Sequence, residues 1–277
     1  MLSLKSPAKI NLFLRIVKRR PDGYHELASL FQAIDLCDEL QIAIAEHATH
    51  DIFTCSDPTL PIDNSNLVIK ALELFRRKTN TGKRFSLHLQ KQIPQQAGLG
   101  GGSSNAATTL WGLNALCGHH VAENELASWG AEIGSDVSFF LSHGTAYCTG
   151  RGEILRPLNA LKSPSIWIIK PEQGLSTPQV YGKLNVEQLP KRDPEEALTS
   201  FLSGSPTYFN DLEQPAFSVM PQLALLKEQL LEAGFSDVLM SGSGSSFFCI
   251  GSKALPHLPH CSTFKTQFLN RSHNTWY

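Results

Sequence analysis

The sequence reads as an α+β protein built of two domains. Apolar residues alternate at the two-residue period of strands near the start, near residue 85 and again before residue 250, and stretches of helical period fall between them. At 277 residues the chain is long for one core and comfortable for two. The pattern pauses around residues 158–164, which divides the chain into 1–158 and 159–277.

Residues 6–17 put Ile10, Leu12, Leu14 and Ile16 on one strand face and Lys9 and Asn11 on the other. Pro21-Asp22-Gly23 marks a turn, and Tyr24-His25-Glu26 opens a second extended run to Ile34. Leu40, Ile42 and Ile44 predict a third strand over 38–45. Asp63-Asn64-Ser65 offer capping side chains to a helix ending near Thr79, with Leu67, Val68, Ala71, Leu72 and Phe75 on its buried face. Phe85, Leu87 and Leu89 alternate as a strand that leads into PQQAGLGGGSSNAATT at 94–109. Gly98, Gly100, Gly101 and Gly102 free the backbone there, and Ala106, Ala107, Leu110 and Leu113 continue at helical spacing towards Gly118. A helix is expected over 123–133, broken by Gly134-Ser135-Asp136 before the apolar run 137–141, with closing strands at 145–148 and 153–155. The second half offers a strand at 166–170 and helices at 177–184, 194–202 and 220–233, the last ended by Gly234. Strand, glycine turn and strand follow over 238–251, and the tail beyond carries no pattern.

Net charge −1 and a pI near 6.8 leave no electrostatic footprint for nucleic acid or an anionic membrane. The short basic runs Lys18-Arg19-Arg20 and Arg76-Arg77-Lys78 read as solvated faces. Six cysteines without a CxxC pair read as reduced, buried thiols, which suits a cytoplasmic enzyme, a monomer or homodimer. His47 with His50, and His257 with His260 and Cys261, lack a second pair at zinc spacing, so no zinc site is expected and the protein ligands of any metal stay unknown. No apolar run approaches the ~20 residues of a membrane span, and the N-terminus lacks a signal-peptide core.

A glycine loop feeding a helix N-terminus gathers unpaired N–H groups and the positive end of the helix dipole, which favours phosphate. Neither GxxxxGK[ST] nor GxGxxG fits it. Lys9 could be a surface residue on a strand edge, Asp136 a helix cap, and Ser241-Gly242-Ser243-Gly244 a plain hairpin. Together with the loop they suit phosphoryl transfer, in which amides cradle the phosphates, Lys9 neutralises charge and Asp136 accepts the hydroxyl proton.

The pattern PxxxGLGxxSS resembles the second motif of the GHMP kinases. SPAKINLFL with PDGYHEL, GLGGGSSNAA with GSDV, and SGSGSSFF resemble the three signature regions of the family of 4-diphosphocytidyl-2-C-methyl-D-erythritol kinases within it. The resemblance implies the GHMP kinase fold, with an N-terminal domain like ribosomal protein S5 domain 2 and a ferredoxin-like C-terminal domain. It implies an ATP-dependent kinase of the non-mevalonate isoprenoid route, with Mg2+ accompanying ATP and a cytidine-diphosphate-linked methylerythritol phosphorylated on its 2-hydroxyl. Lys9 and Asp136 match the catalytic pair. Pro94, Gln95, Gln96, Ala97, Gly98, Leu99, Gly100, Gly101, Gly102, Ser103 and Ser104 match the ATP loop, and Asn66 and Lys91 match adenosine contacts. Asn11, Tyr24, His25, Thr177 and Tyr181 match the substrate side, with Tyr24 and Tyr181 as the aromatic faces for the base. Gln95, Gln96, Asn105 and Ser138 depart from the family's usual residues, and Ser138 bears on the backbone after Asp136. Homoserine or mevalonate kinases, which are not expected to carry DGYH, and a non-catalytic S5-like binding module are the alternatives.

Overall fold

The computed structural model describes residues 1–277. It opens with two long strands, β1 (Leu2–Arg19) and β2 (His25–Ile44), joined at the Pro21-Asp22-Gly23 turn. Gly23 N–H donates to the Arg20 carbonyl, Tyr24 N–H donates to the Asp22 carboxylate, and Gly23 takes a φ of +84° that a side chain would strain. Next come β3 (Ile52–Cys55), α1 (Leu67–Thr79), β4 (Phe85–Gln90), α2 (Gly101–Leu116), α3 (Glu123–Ile133), α4 (Val137–Phe140), β5 (Thr145–Gly150) and β6 (Ile154–Pro157). The chain then crosses to β7 (Ile166–Pro171), α5 (Thr177–Gly182), α6 (Pro194–Leu202), β8 (Phe209–Asn210), α7 (Glu213–Val219), α8 (Gln222–Glu232), β9 (Asp237–Met240), β10 (Phe247–Ile250) and β11 (Cys261–Thr266).

Two sheets result. The larger has seven strands in the order β3-β4-β2-β1-β8, with β5 on the other half of β2 and β6 on β5; the smaller has four, β11-β7-β10-β9. The two runs expected at 24–34 and 38–45 are one strand, β2. Pro7 pairs with Cys37 while Ala8 pairs with Ile34, so Asp35 and Leu36 form a bulge that breaks the alternation without ending the strand. The cap of α1 is Asn66, whose Oδ1 accepts from Val68 N–H at 2.9 Å; Asp63 instead closes a local turn on Ser65. The solvated-face reading of the basic runs also needs correction. Arg76 forks onto Asp51, and Arg19 lines the large cavity described below.

Strand β1 is covered on both sides, which turns a strand read as one-faced into the centre of the molecule. Ile10 and Leu12 pack into one apolar cluster with Ile168 and Phe248 of the smaller sheet, and Leu14 and Ile16 into another with Phe247 and Leu230. Full burial of such side chains stabilises by roughly 1.5–3 kcal/mol each. A third cluster of 26 residues lies under α1 to α4. All six cysteines are free; Cys148 and Cys249 are buried as expected, whereas the other four are partly exposed.

The patternless tail is structured. It supplies the edge strand β11 and then returns to the first sheet, with Leu269 N–H donating to Ala33 O and Trp276 Nε1–H to Lys5 O. Arg271, with its side chain fully buried, donates to the carbonyls of Leu141 (2.6 Å) and Ser142 (2.8 Å) just after α4 and to Glu123 Oε1 (2.8 Å). Those bonds satisfy carbonyls that a helix end leaves unpaired. Arg271→Ala should therefore cost about 3 kcal/mol, read as a lowered denaturant midpoint with an unchanged slope.

Candidate active site

Lys9 leaves the middle of β1 only 4% exposed. A buried ammonium needs partners, and it has three: it donates to Asn11 Oδ1 (2.8 Å), lies 4.6 Å from the Phe31 ring centroid, and faces Asp136 Oδ2 at 3.5 Å. Asn11 is held in turn by donating to Ser29 Oγ at 2.9 Å. Asp136 stands at the N-cap position of α4, yet its side chain caps nothing and keeps 30% of its surface exposed. Its carboxylate is therefore left for the cleft. The Ser138 departure is absorbed, because its hydroxyl donates to Ala127 O on α3 at 2.7 Å and α4 forms.

The glycine loop docks on both sides of this pair. Lys9 N–H donates to Leu99 O, which ties the loop to β1. The turn between β9 and β10 holds it from the other side: Ser241 Oγ donates to Gly98 O at 3.0 Å and Ser246 N–H to Ala97 O at 3.2 Å. Gly100, at φ +70°, starts α2 without a side-chain cap, so the amides of the first turn remain available to a ligand. Beside them lies a hollow of about 410 Å³. Asn66, Lys91 and every residue from Pro94 to Ser103 line it; Ser104 alone of the expected set does not, its hydroxyl being buried without a partner.

Lys91 and Asn105 share one anchor. Asp38, 1% exposed, accepts from Lys91 Nζ, Asn105 Nδ2 and the N–H groups of Gln92 and Ile93. Asn105 thus serves as a donor that fixes the start of α2. Gln95 donates to Asp57 and Thr59, and Gln96 occupies a left-handed φ of 49° where a residue without a side chain would be relaxed.

On the far side of the loop opens a larger cavity of about 1110 Å³, lined by Lys9, Asn11, Tyr24, His25, Asp136, Thr177 and Tyr181. Gly98 and Gly100 line both spaces, so the loop is their common wall. His25 and Tyr181 pack together, ring centroids 5.1 Å apart, whereas Tyr24 is 59% exposed. Burial, then the nearby Arg19, holds the His25 imidazole below its ordinary pKa of 6.5; burial pushes the Tyr181 phenol up to about 12. Arg151, with its guanidinium 5.1 Å from the Tyr24 ring centroid, and Arg19 line the same cavity. Sequence reading missed both, since an isolated Arg after a strand and one in a basic run carry no spacing signal.

Residues 66–144 match the family described as GHMP kinases N terminal domain, and residues 186–256 match GHMP kinases C terminal. The chain is 53% identical over its full length to a 4-diphosphocytidyl-2-C-methyl-D-erythritol kinase of Protochlamydia amoebophila, covering 93% of that protein. The chloroplastic enzyme of that name from Arabidopsis thaliana is 44% identical, with all of this chain and 76% of the relative covered. A crystal structure of 4-(cytidine 5'-diphospho)-2C-methyl-D-erythritol kinase superposes with TM-score 0.81 and 32% identity over 97% of this chain and 99% of that one. A homoserine kinase from Cytophaga hutchinsonii, at 16% identity and TM-score 0.70, shares the fold.

A Cβ at position 98 would lie 2.0 Å from the Ser241 carbonyl oxygen. Gly98→Ala should part the loop from the β9–β10 turn and weaken nucleotide binding at least ~10-fold, measured by calorimetric titration with ATP, together with a lower melting temperature.

Proposed function

The chain belongs to the 4-diphosphocytidyl-2-C-methyl-D-erythritol kinases of the GHMP kinase family, and we propose that its Asp136 and Lys9 carry the transfer of a phosphoryl group to the substrate's 2-hydroxyl. It is an ATP-dependent kinase of a small-molecule alcohol. One observation carries the assignment of roles: an uncapped carboxylate 3.5 Å from a buried ammonium, in a cavity that shares Gly98 and Gly100 with the loop hollow. Phosphoryl transfer asks a protein for position and charge rather than covalent chemistry. Asp136 takes the hydroxyl proton. Lys9 holds that carboxylate and offsets the charge that develops on the phosphoryl oxygens.

The amides at the start of α2 receive the phosphates of ATP, with the adenosine towards Asn66 and Lys91. Lys91 reaches that hollow while bonded to Asp38, so it acts there as a fixed charge. On the acceptor side Tyr24 and Tyr181 present aromatic faces for the cytosine, and His25 offers its edge as a neutral imidazole. Arg151 and Arg19 supply positive charge in the same cavity, suited to a diphosphate. Residues 1–158 would hold the nucleotide, and Thr177 and Tyr181 from residues 159–277 would line the acceptor side.

Magnesium fits this donor set, since a hard cation draws most of its ligands from phosphate and water and needs few from protein. Ser103, which lines the hollow, and Ser104, whose buried hydroxyl has no partner, are the oxygens that would serve it. When bound, it neutralises phosphate charge.

Asp136→Asn should lower kcat by at least ~10² while ATP affinity is kept. Wild-type turnover in that variant would remove Asp136 from the base role. ADP release should be seen with the cytidylated methylerythritol and not with homoserine or mevalonate. Tyr24→Ala should raise KM for the cytidylated substrate alone, stacking being worth ~1–3 kcal/mol. Because the His25 pKa is lowered, its ring stays neutral until the pH falls below 6.5. KM for the cytidylated substrate should be flat above that pH and rise below it, and His25→Gln should abolish the rise.

A further inference from the structure

Glu123, His143 and His273 come from separate segments: the first residue of α3, the turn after α4, and the tail. Glu123 Oε2 lies 3.6 Å from His143 Nε2 and 3.7 Å from His273 Nδ1, and one ligand atom from each residue lies within 4.8 Å of the others. A tetrahedral zinc ion with bonds of about 2.0–2.1 Å holds its ligand atoms about 3.3 Å apart. Two edges of that figure are already close to length.

The gap also looks towards an orphan. His143 Nε2 is buried and has no hydrogen-bond partner, facing the carboxylate across a distance too long for one. Its ring packs edge-on to His273, centroids 4.2 Å apart. Arg271 Nη1–H occupies Oε1 of Glu123 at 2.8 Å, which orients the carboxylate and leaves Oε2 as a single-atom ligand.

We propose that Glu123, His143 and His273 form a site for a divalent transition-metal ion of the zinc class, completed by water, which fastens the tail to α3 and to the turn after α4. Two imidazoles and a carboxylate suit zinc, cobalt or nickel over magnesium or calcium. The site stands apart from the kinase cleft, and nothing in it depends on the catalytic roles proposed above.

The test uses the full chain, stripped with chelator, and Co2+ as the probe. Wild type should develop the visible spectrum of tetrahedral cobalt, and about one equivalent of Zn2+ should displace it. Zn2+ at ~100-fold excess over its Kd should raise the melting temperature by roughly 5–10 °C. His273 has a side chain 79% exposed, so His273→Ala should fold normally. It should bind Zn2+ at least ~10-fold more weakly. His273→Cys should regain binding with a thiolate charge-transfer band. His260→Ala, at the other exposed histidine–glutamate contact (3.3 Å from Glu172), should bind as wild type does. No Co2+ spectrum in wild type, or equal Zn2+ affinity in wild type and His273→Ala, would overturn the proposal and leave an ion cluster only.

Discussion

A single buried ammonium sets the terms for the rest of this molecule. Lys9 sits on a strand covered from both sides, where an unpaired charge would be destabilising by several kcal/mol. Its neighbours therefore have to arrive from different parts of the chain: Asn11 on the same strand, Phe31 from the strand beside it, Asp136 from the start of α4. The main chain of the same residue bonds to Leu99 in the glycine loop. One residue thus links the hairpin, the loop and the short helix, and the positions proposed for the chemistry coincide with those needed to solvate the charge.

Local signals in the sequence were read well where one interaction decides the structure. Residues 123–133 and 194–202 are helices as expected, and the strand-loop-helix order at 85–116 follows from glycines before a helical run. Residues 24–34 and 38–45 carry the pattern of two strands because alternation breaks at a bulge as it does at a strand end, and only the partner strand tells them apart. The tail was illegible for another reason. Arg271 and Trp276 bond to carbonyls of Leu141, Ser142 and Lys5, partners without side-chain identity that leave no trace in a pattern of residue types, and the carboxylate that Arg271 also meets, Glu123, lies 148 residues away.

The cleft divides in the same way. Lys9, Asp136 and the loop residues stand in motifs, so they could be named before any coordinates. Arg19 and Arg151 reach the large cavity through the geometry of a turn and of the segment after β5. Departures from the family pattern proved local: Ser138 bonds to Ala127, Asn105 to Asp38, Gln95 to Asp57. These three side chains have each found a hydrogen-bond partner where they stand, while Gln96 is accommodated by a left-handed φ of 49°, and the loop and α4 form around them.

The return of the tail to the first sheet bears on the order in which this polypeptide can mature. Arg271 meets the carbonyl of Leu141 across a separation of 130 residues. During synthesis at ~5–20 residues per second, α4 and the sheet beneath it emerge many seconds before the guanidinium that seals them. The first half of the nascent chain must therefore wait, its last carbonyls bonded to water, until the second half has left the ribosome.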